Sequence, residues 1–391
     1  MLIKQKILLN MVLLWFILNI ININAEKIVT YNFKTRQFRP ALFTNFTNDN
    51  NTGLLLLNTF NPYTILDKDS YKVLNTSFIL NETTISLKTT FDAFEYHNNI
   101  EINETKVNNY IFYIAKVSLW YPDQGIGLGY RYDNESYSLV HLLYNAKKIV
   151  LKQFAFTFTN NSESGSVFFG GVPKNVHIGL PYQGYCKVND NYNKWGCNIT
   201  NLKYNNKDIE YTGNPIFHSL FYGVFYSEKL FDILIDNIFT RAINQTECTL
   251  DFTAEGSKTL YCKEIKEFND TFEVGFNNLT MKFPISHLFE KKNETYRSIF
   301  FSNPYDFYNK YDLIVGVHFL NSFNYTVFNY DKGQVEFYSD TVSITMLDEY
   351  KKVFIKVQKL LLTSNLGLLL VSLCMLIYNV SNIISKSSIS N

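Results

Sequence analysis

Apolar and polar residues alternate in short runs through most of the chain. Lys27–Asn32, Gly53–Leu57, Tyr110–Val117, Phe154–Thr159, Ser166–Phe169, Phe272–Phe276 and Tyr325–Phe328 are rich in Phe, Tyr, Val, Ile and Thr and are bounded by Asn, Asp or Gly. Alternation of that length and composition predicts strands. Helical spacing is confined to Ser138–Asn145 and to Ser227–Asn237, where Leu230, Phe231 and Leu234, with Ile238 just beyond, share one face. The pattern therefore predicts a mostly β ectodomain of about 320 residues. No repeat with a period of about 20–50 residues is visible.

Two continuous apolar runs break this rhythm. In residues 1–25, Lys4 and Lys6 precede the run from Ile7 to Ile21, and Ala25 closes a small-residue cleavage pattern. That is the layout of a secretory signal peptide. The second run, residues 360–384, is long enough to cross a hydrocarbon core of about 30 Å. The chain continues past it through Ser385-Lys386-Ser387-Ser388, which favours a membrane span over a lipid-anchor signal. Lys351, Lys352, Lys356 and Lys359 precede the span and only Lys386 follows it, against the usual charge bias. A cleaved signal peptide leaves a single span no choice of orientation, so the ectodomain is expected in the lumen or outside the cell.

Composition narrows the function classes. The 36 Lys+Arg and 35 Asp+Glu leave a net charge of +1, which excludes nucleic acid as the main partner. Hydrophobic residues make up 46%, enough to build a core. Fourteen Asn-x-Ser/Thr sequons occur, among them Asn45, Asn75, Asn81, Asn103, Asn134, Asn198, Asn244, Asn269, Asn293 and Asn324. Chance in so Asn-rich a chain gives about six or seven, so a glycosylated surface or luminal protein is expected. Of five cysteines, Cys374 lies in the proposed span. The others form two local pairs, Cys186/Cys197 and Cys248/Cys262, expected as disulfides although four cysteines allow three pairings. No Cys or His spacing supports a metal, and no cofactor is implied.

The chain also shows a weak internal symmetry. Gly53-Leu-Leu-Leu-Leu57 runs into Asn58-Thr59, and Pro215-Ile216-Phe217 runs into His218-Ser219. A glycine-bearing apolar segment follows each, Gly125–Gly129 in one case and Leu313–Val317 in the other. Two related halves would produce this arrangement.

With these motifs in order, the sequence resembles the pepsin-type aspartic peptidases of family A1. Leu313-Ile-Val-Gly-Val-His-Phe-Leu320, Tyr325-Thr-Val-Phe-Asn329 and Gly333-Gln-Val-Glu-Phe337 resemble the family's last strands. Phe154–Phe158 followed by Ser166-Val-Phe-Phe-Gly-Gly171 resembles its mid-chain hairpin, and Trp195 through Tyr204–Ile209 the strands before its second catalytic loop. The resemblance covers about residues 27–340. It implies a bilobal pepsin-like acid protease fold, here with a C-terminal transmembrane helix. The expected segments are a signal peptide (1–25), an N-terminal β lobe (26–180), a C-terminal β lobe (181–345), a juxtamembrane stalk (346–359), the span (360–384) and a short tail (385–391).

The family's chemistry uses one Asp-Thr/Ser-Gly loop per lobe, and the two carboxylates share a proton while activating water. Laid on this chain, the first loop carries Asn58 for the aspartate and Phe60 for the glycine. The second carries His218 and Leu220 at those places. An amide does not ionise, and a histidine beside it holds no shared acidic proton. The flap region shows no tyrosine from Ile85 to Phe91. Asn58 and His218 are thus degenerate catalytic positions, and Phe60, Asn61, Ser219, Leu220 and Phe221 are the candidate cleft-lining residues. Asp92 and Glu95 read as a solvated turn, and His318 as structural. The expectation is a membrane-anchored, glycosylated pseudoprotease of the secretory pathway or cell surface, with a peptide or protein as the cleft ligand. Two alternatives stay open: a hydrolase with an altered site, using His218 or another group, and a non-catalytic adhesion glycoprotein whose cleft is filled by Phe60, Leu220 and Phe221.

Overall fold

The computed structural model describes residues 27–346, apart from stretches at 37–38, 47–51, 67–78, 87–89, 103–104, 117–124, 131–136, 160–163, 174–181, 190–192, 212, 214, 222, 241–242, 244–246, 254–255, 266–269, 293 and 303–312. The expected signal peptide, stalk, span and tail lie outside the described residues, save Met346 at the start of the stalk. So do most of the sequons. No described helix is long and apolar enough to cross a membrane.

The described residues form four β-sheets and a few short helices. Every strand expected from the alternating pattern is present, including Val29–Arg36, Thr105–Ala115, Gln153–Phe158, Ser164–Phe169 and Thr271–Phe276. Both expected helices form. Leu139–Asn145 starts where the Ser138 hydroxyl accepts from His141 N, and Glu228–Leu234 where the Ser227 hydroxyl accepts from Leu230 N. Such caps satisfy backbone donors that have no partner inside the helix. The second helix widens into a π turn over Ile235–Phe239.

The internal symmetry is real and extends to strand pairing. In the first half, Thr52–Asn58 lies parallel to Ile126–Gly127, with Leu57 opposite Ile126. Ile65 bridges antiparallel to Gly125, and Ile65–Leu66 runs parallel to Thr105–Ala115. In the second half, Pro215–Phe217 lies parallel to Leu313–Val315. Val224–Tyr226 then pairs antiparallel with that same strand and parallel with Phe300–Ser302. Each half thus inserts its loop strand beside its glycine-bearing strand in the same order and direction.

The halves are stitched together by one sheet. Tyr325–Asn329, late in the chain, pairs antiparallel with Gln153–Phe158 of the first half, and Gln334–Ser339 and Tyr182–Lys187 extend that sheet. Sequence alternation located these strands without showing that they cross between halves. Their inner faces carry an aromatic core. Phe154 stacks on Phe328 at 4.8 Å between ring centroids, and Trp195 meets Phe328 edge-on at 5.3 Å. Trp195, Phe154 and Phe328 are fully buried. Burying rings of this size is the largest apolar contribution available per residue. The disulfides Cys186–Cys197 and Cys248–Cys262 are both formed, as expected.

Candidate functional site

The strand Thr52–Asn58 ends in the turn Thr59-Phe60-Asn61, and the strand Pro215–Phe217 ends in His218-Ser219-Leu220-Phe221. The two turns meet and exchange hydrogen bonds reciprocally. Thr59 N donates to Ser219 Oγ at 3.0 Å, and Ser219 N donates to Thr59 Oγ1 at 2.9 Å. Each hydroxyl then donates onward to the other half, Thr59 to Phe217 O at 2.9 Å and Ser219 to Leu57 O. All four groups are buried, where an unpaired backbone N–H or C=O is costly. Thr59 and Ser219 therefore lock the two loops at the level of the backbone. Ser219, expected as a cleft-lining residue, has both hydrogen-bonding capacities of its hydroxyl committed to this lock.

The positions expected for the two aspartates lie beside the lock, and both are fully buried. Asn58 Oδ1 accepts from Phe60 N at 3.0 Å and from Asn61 N at 3.1 Å. His218 Nδ1 accepts from Leu220 N at 3.4 Å. No Asp or Glu occurs in Leu57–Asn61 or in Phe217–Phe221.

Where the family pattern has a glycine in the first loop, Phe60 fills the space. Its ring lies flat against the His218 imidazole, at 4.7 Å between centroids and 4° between planes. Phe221 meets His218 edge-on, also at 4.7 Å. The Lys194 ammonium lies over the Phe60 ring, 3.8 Å from its centroid, and also donates to Phe60 O at 2.8 Å. A cation over a ring face is attracted by the ring's quadrupole. Leu220 packs against Leu56 from the first half. Phe60, Asn61 and Leu220 are buried, and Phe221 is half-buried. The candidate cleft-lining residues thus form a packed floor.

Glycines hold this floor close to its strands. A Cβ on Gly127 would lie 2.4 Å from Pro62 O, and one on Gly316 would lie 2.4 Å from Phe221 O. Leu128 N donates to Asn58 O, and Leu128 O accepts from Trp195 Nε1 at 2.7 Å and from the Tyr330 hydroxyl at 3.1 Å. Thr64 Oγ1 accepts from Gly127 N and shares a hydrogen bond with the Tyr110 hydroxyl, whose pKa burial pushes up.

Sequence reasoning missed the lock, the Lys194 contact and the Trp195 bond. The available signal was a small hydroxyl residue one place after Asn58 and one place after His218. The reading of Asp92 and Glu95 as a turn is corrected. Both lie in the strand Thr90–Ile102, where Glu95 accepts from the Tyr113 and Tyr137 hydroxyls and contacts His97 at 3.4 Å. Among the described residues no group of three or more His, Cys, Asp or Glu is placed to hold a metal. A cavity of about 560 Å³, lined in part by Asp208, Ile209, Tyr211, Lys229 and Ile233, opens elsewhere in the second half.

Comparison with known proteins agrees with this geometry. The family model described as eukaryotic aspartyl protease matches residues 58–339. The fold is similar to that of an aspartic proteinase from Irpex lacteus, with a TM-score of 0.61 at 14% identity, covering 80% of this chain and 97% of that one. It is also similar to basic 7S globulin from soybean, with a TM-score of 0.64 at 10% identity, covering 80% and 95%. At such identities the likeness is one of fold. No curated protein sequence matches the chain.

Proposed function

Because the chain belongs to the eukaryotic aspartyl protease family, we propose that it is a catalytically inactive member: a glycosylated, membrane-anchored protein that uses the bilobal scaffold for binding or adhesion. The observation that carries this reading is the contrast at the loop crossing. The backbone lock between Thr59 and Ser219 is intact, while the two positions beside it hold an amide and an imidazole in place of carboxylates. A shared-proton mechanism needs two close carboxylates, one to deprotonate water and one to protonate the peptide carbonyl. Asn58 offers neither function, and its Oδ1 already accepts two backbone hydrogen bonds. His218 is in ring contact with both Phe60 and Phe221.

The same stack favours adhesion, or binding by surfaces other than the floor, over peptide capture at the floor itself. Purified full-length protein is expected to leave unfolded haemoglobin and casein intact at acid pH. Acid turnover that a statine-type inhibitor blocks, and that His218→Ala removes, would overturn the reading. The membrane anchor and the glycans are tested by carbonate extraction and by the mobility shift on deglycosylation. Asn278 lies in the sequon Asn278-Leu279-Thr280 but is buried, so mass spectrometry is expected to find it unmodified.

A further inference from the structure

Among the described residues five large apolar side chains are conspicuously exposed, and three of them fall within one eight-residue stretch. Tyr144, Val150 and Leu151 are 39%, 44% and 48% exposed. They surround the turn that follows the helix Leu139–Asn145, and that turn also presents Lys147, Lys148 and Lys152. Lys152 lies over the Tyr144 ring at 5.1 Å, and the exposed Lys27 contributes a further ammonium, 3.4 Å from Lys147 O. Residues 136–162 contain no Asp or Glu. The carboxylate of Asp331 reaches this turn, 3.4 Å from Lys152 N.

The turn is held rigidly. Ile149 in its middle is buried, Lys147 N and Lys148 N bond back to Tyr144 O and Leu143 O, and Lys147 takes a left-handed backbone with φ of 56°. Its neighbours Val150 and Leu151 therefore stay pointed outward rather than folding onto the core. Lysines interleaved with aliphatic and aromatic tips match an anionic bilayer surface, where the ammoniums meet headgroups and the tips enter the boundary with the acyl chains.

We infer that the turn Tyr144–Lys152 is a contact surface for the anionic headgroups of a phospholipid bilayer. The inference concerns a surface far in sequence from both loops, and it does not depend on the absence of catalysis.

The test uses full-length protein carrying Cys374→Ser and Val150→Cys, labelled at the introduced thiol with an environment-sensitive dye. Phosphatidylcholine vesicles with and without phosphatidylserine are compared. The dye emission is expected to shift to the blue on phosphatidylserine-containing vesicles only, and less at high salt. Each of Lys147→Gln, Lys148→Gln and Lys152→Gln is expected to weaken the response about fivefold. The inference is overturned by no shift on anionic vesicles, by an equal shift on phosphatidylcholine alone, or by an equal shift with the dye at exposed Phe252→Cys instead. A shift produced only by an acidic protein would reassign the surface to a protein partner, and so also overturn it. The readout is local to the turn, so its failure leaves the C-terminal anchor and the inactive-site reading untouched.

Discussion

The two loops that meet between the halves share a backbone and differ in everything placed on it. Thr59 and Ser219 make the same pair of bonds in mirrored sense, and Gly127 and Gly316 press equally close to their loops. Yet Asn58 is held by two backbone donors to one oxygen, whereas His218 receives one long bond and is packed by Phe60 stacked on it and Phe221 meeting it edge-on. The loop crossing is maintained by hydroxyls and main chain, not by the side chains of Asn58 and His218. Asn58 and His218 therefore fill their spaces in two different ways on one shared frame.

The largest expected effect tests that shared backbone. Thr59→Ala strands Ser219 N and Phe217 O in the interior, and Ser219→Ala strands Thr59 N and Leu57 O. Each is expected to lower unfolding free energy by about 2–4 kcal/mol in denaturant titration. Near-equal losses sharpen the symmetry, and a loss in one half alone breaks it.

Gly127→Ala and Gly316→Ala come next. The added methyl in either case meets a backbone carbonyl that cannot swing away, at an expected cost of about 1–3 kcal/mol. A smaller effect falls on the first loop alone. Lys194→Met removes both the contact with the Phe60 ring and the bond to Phe60 O, and is expected to cost about 1–2 kcal/mol. If it costs nothing, the stack does not need its cation.

The smallest effect is a pH dependence specific to the second half. Burial holds the pKa values of His287 and His318 below the ordinary histidine range. A histidine with a depressed folded-state pKa is neutral in the fold and binds protons more readily when unfolded. It therefore contributes stability above about pH 6.5 that is lost as pH falls through the folded value. The denaturant midpoint is expected to drop on going below that range, and His318→Gln to flatten the drop.

Most strands were legible because alternation survives wherever one face of a sheet is buried, as in Gln153–Phe158 and Tyr325–Asn329. The two-fold plan was legible from a glycine-bearing segment following each polar pair. What the chain did not display is juxtaposition. Thr59 reads as one more threonine until Ser219, 160 residues away, is seen against it. Lys194 reads as a solvated charge until its ammonium is found over Phe60. Phe60 and Leu220 announced repacked loops by their bulk, but the stack with His218 depends on how the two halves close.

The strand Tyr325–Asn329 occupies the edge of Gln153–Phe158 although about 170 residues separate their paired positions. During synthesis, the first half must therefore leave the ribosome with that edge bare and keep it so until nearly the whole ectodomain has emerged. A partner with a long and late sequence separation slows closure and exposes an adhesive strand meanwhile. Nascent chains truncated before Tyr325 should thus be the ones that chaperones retain.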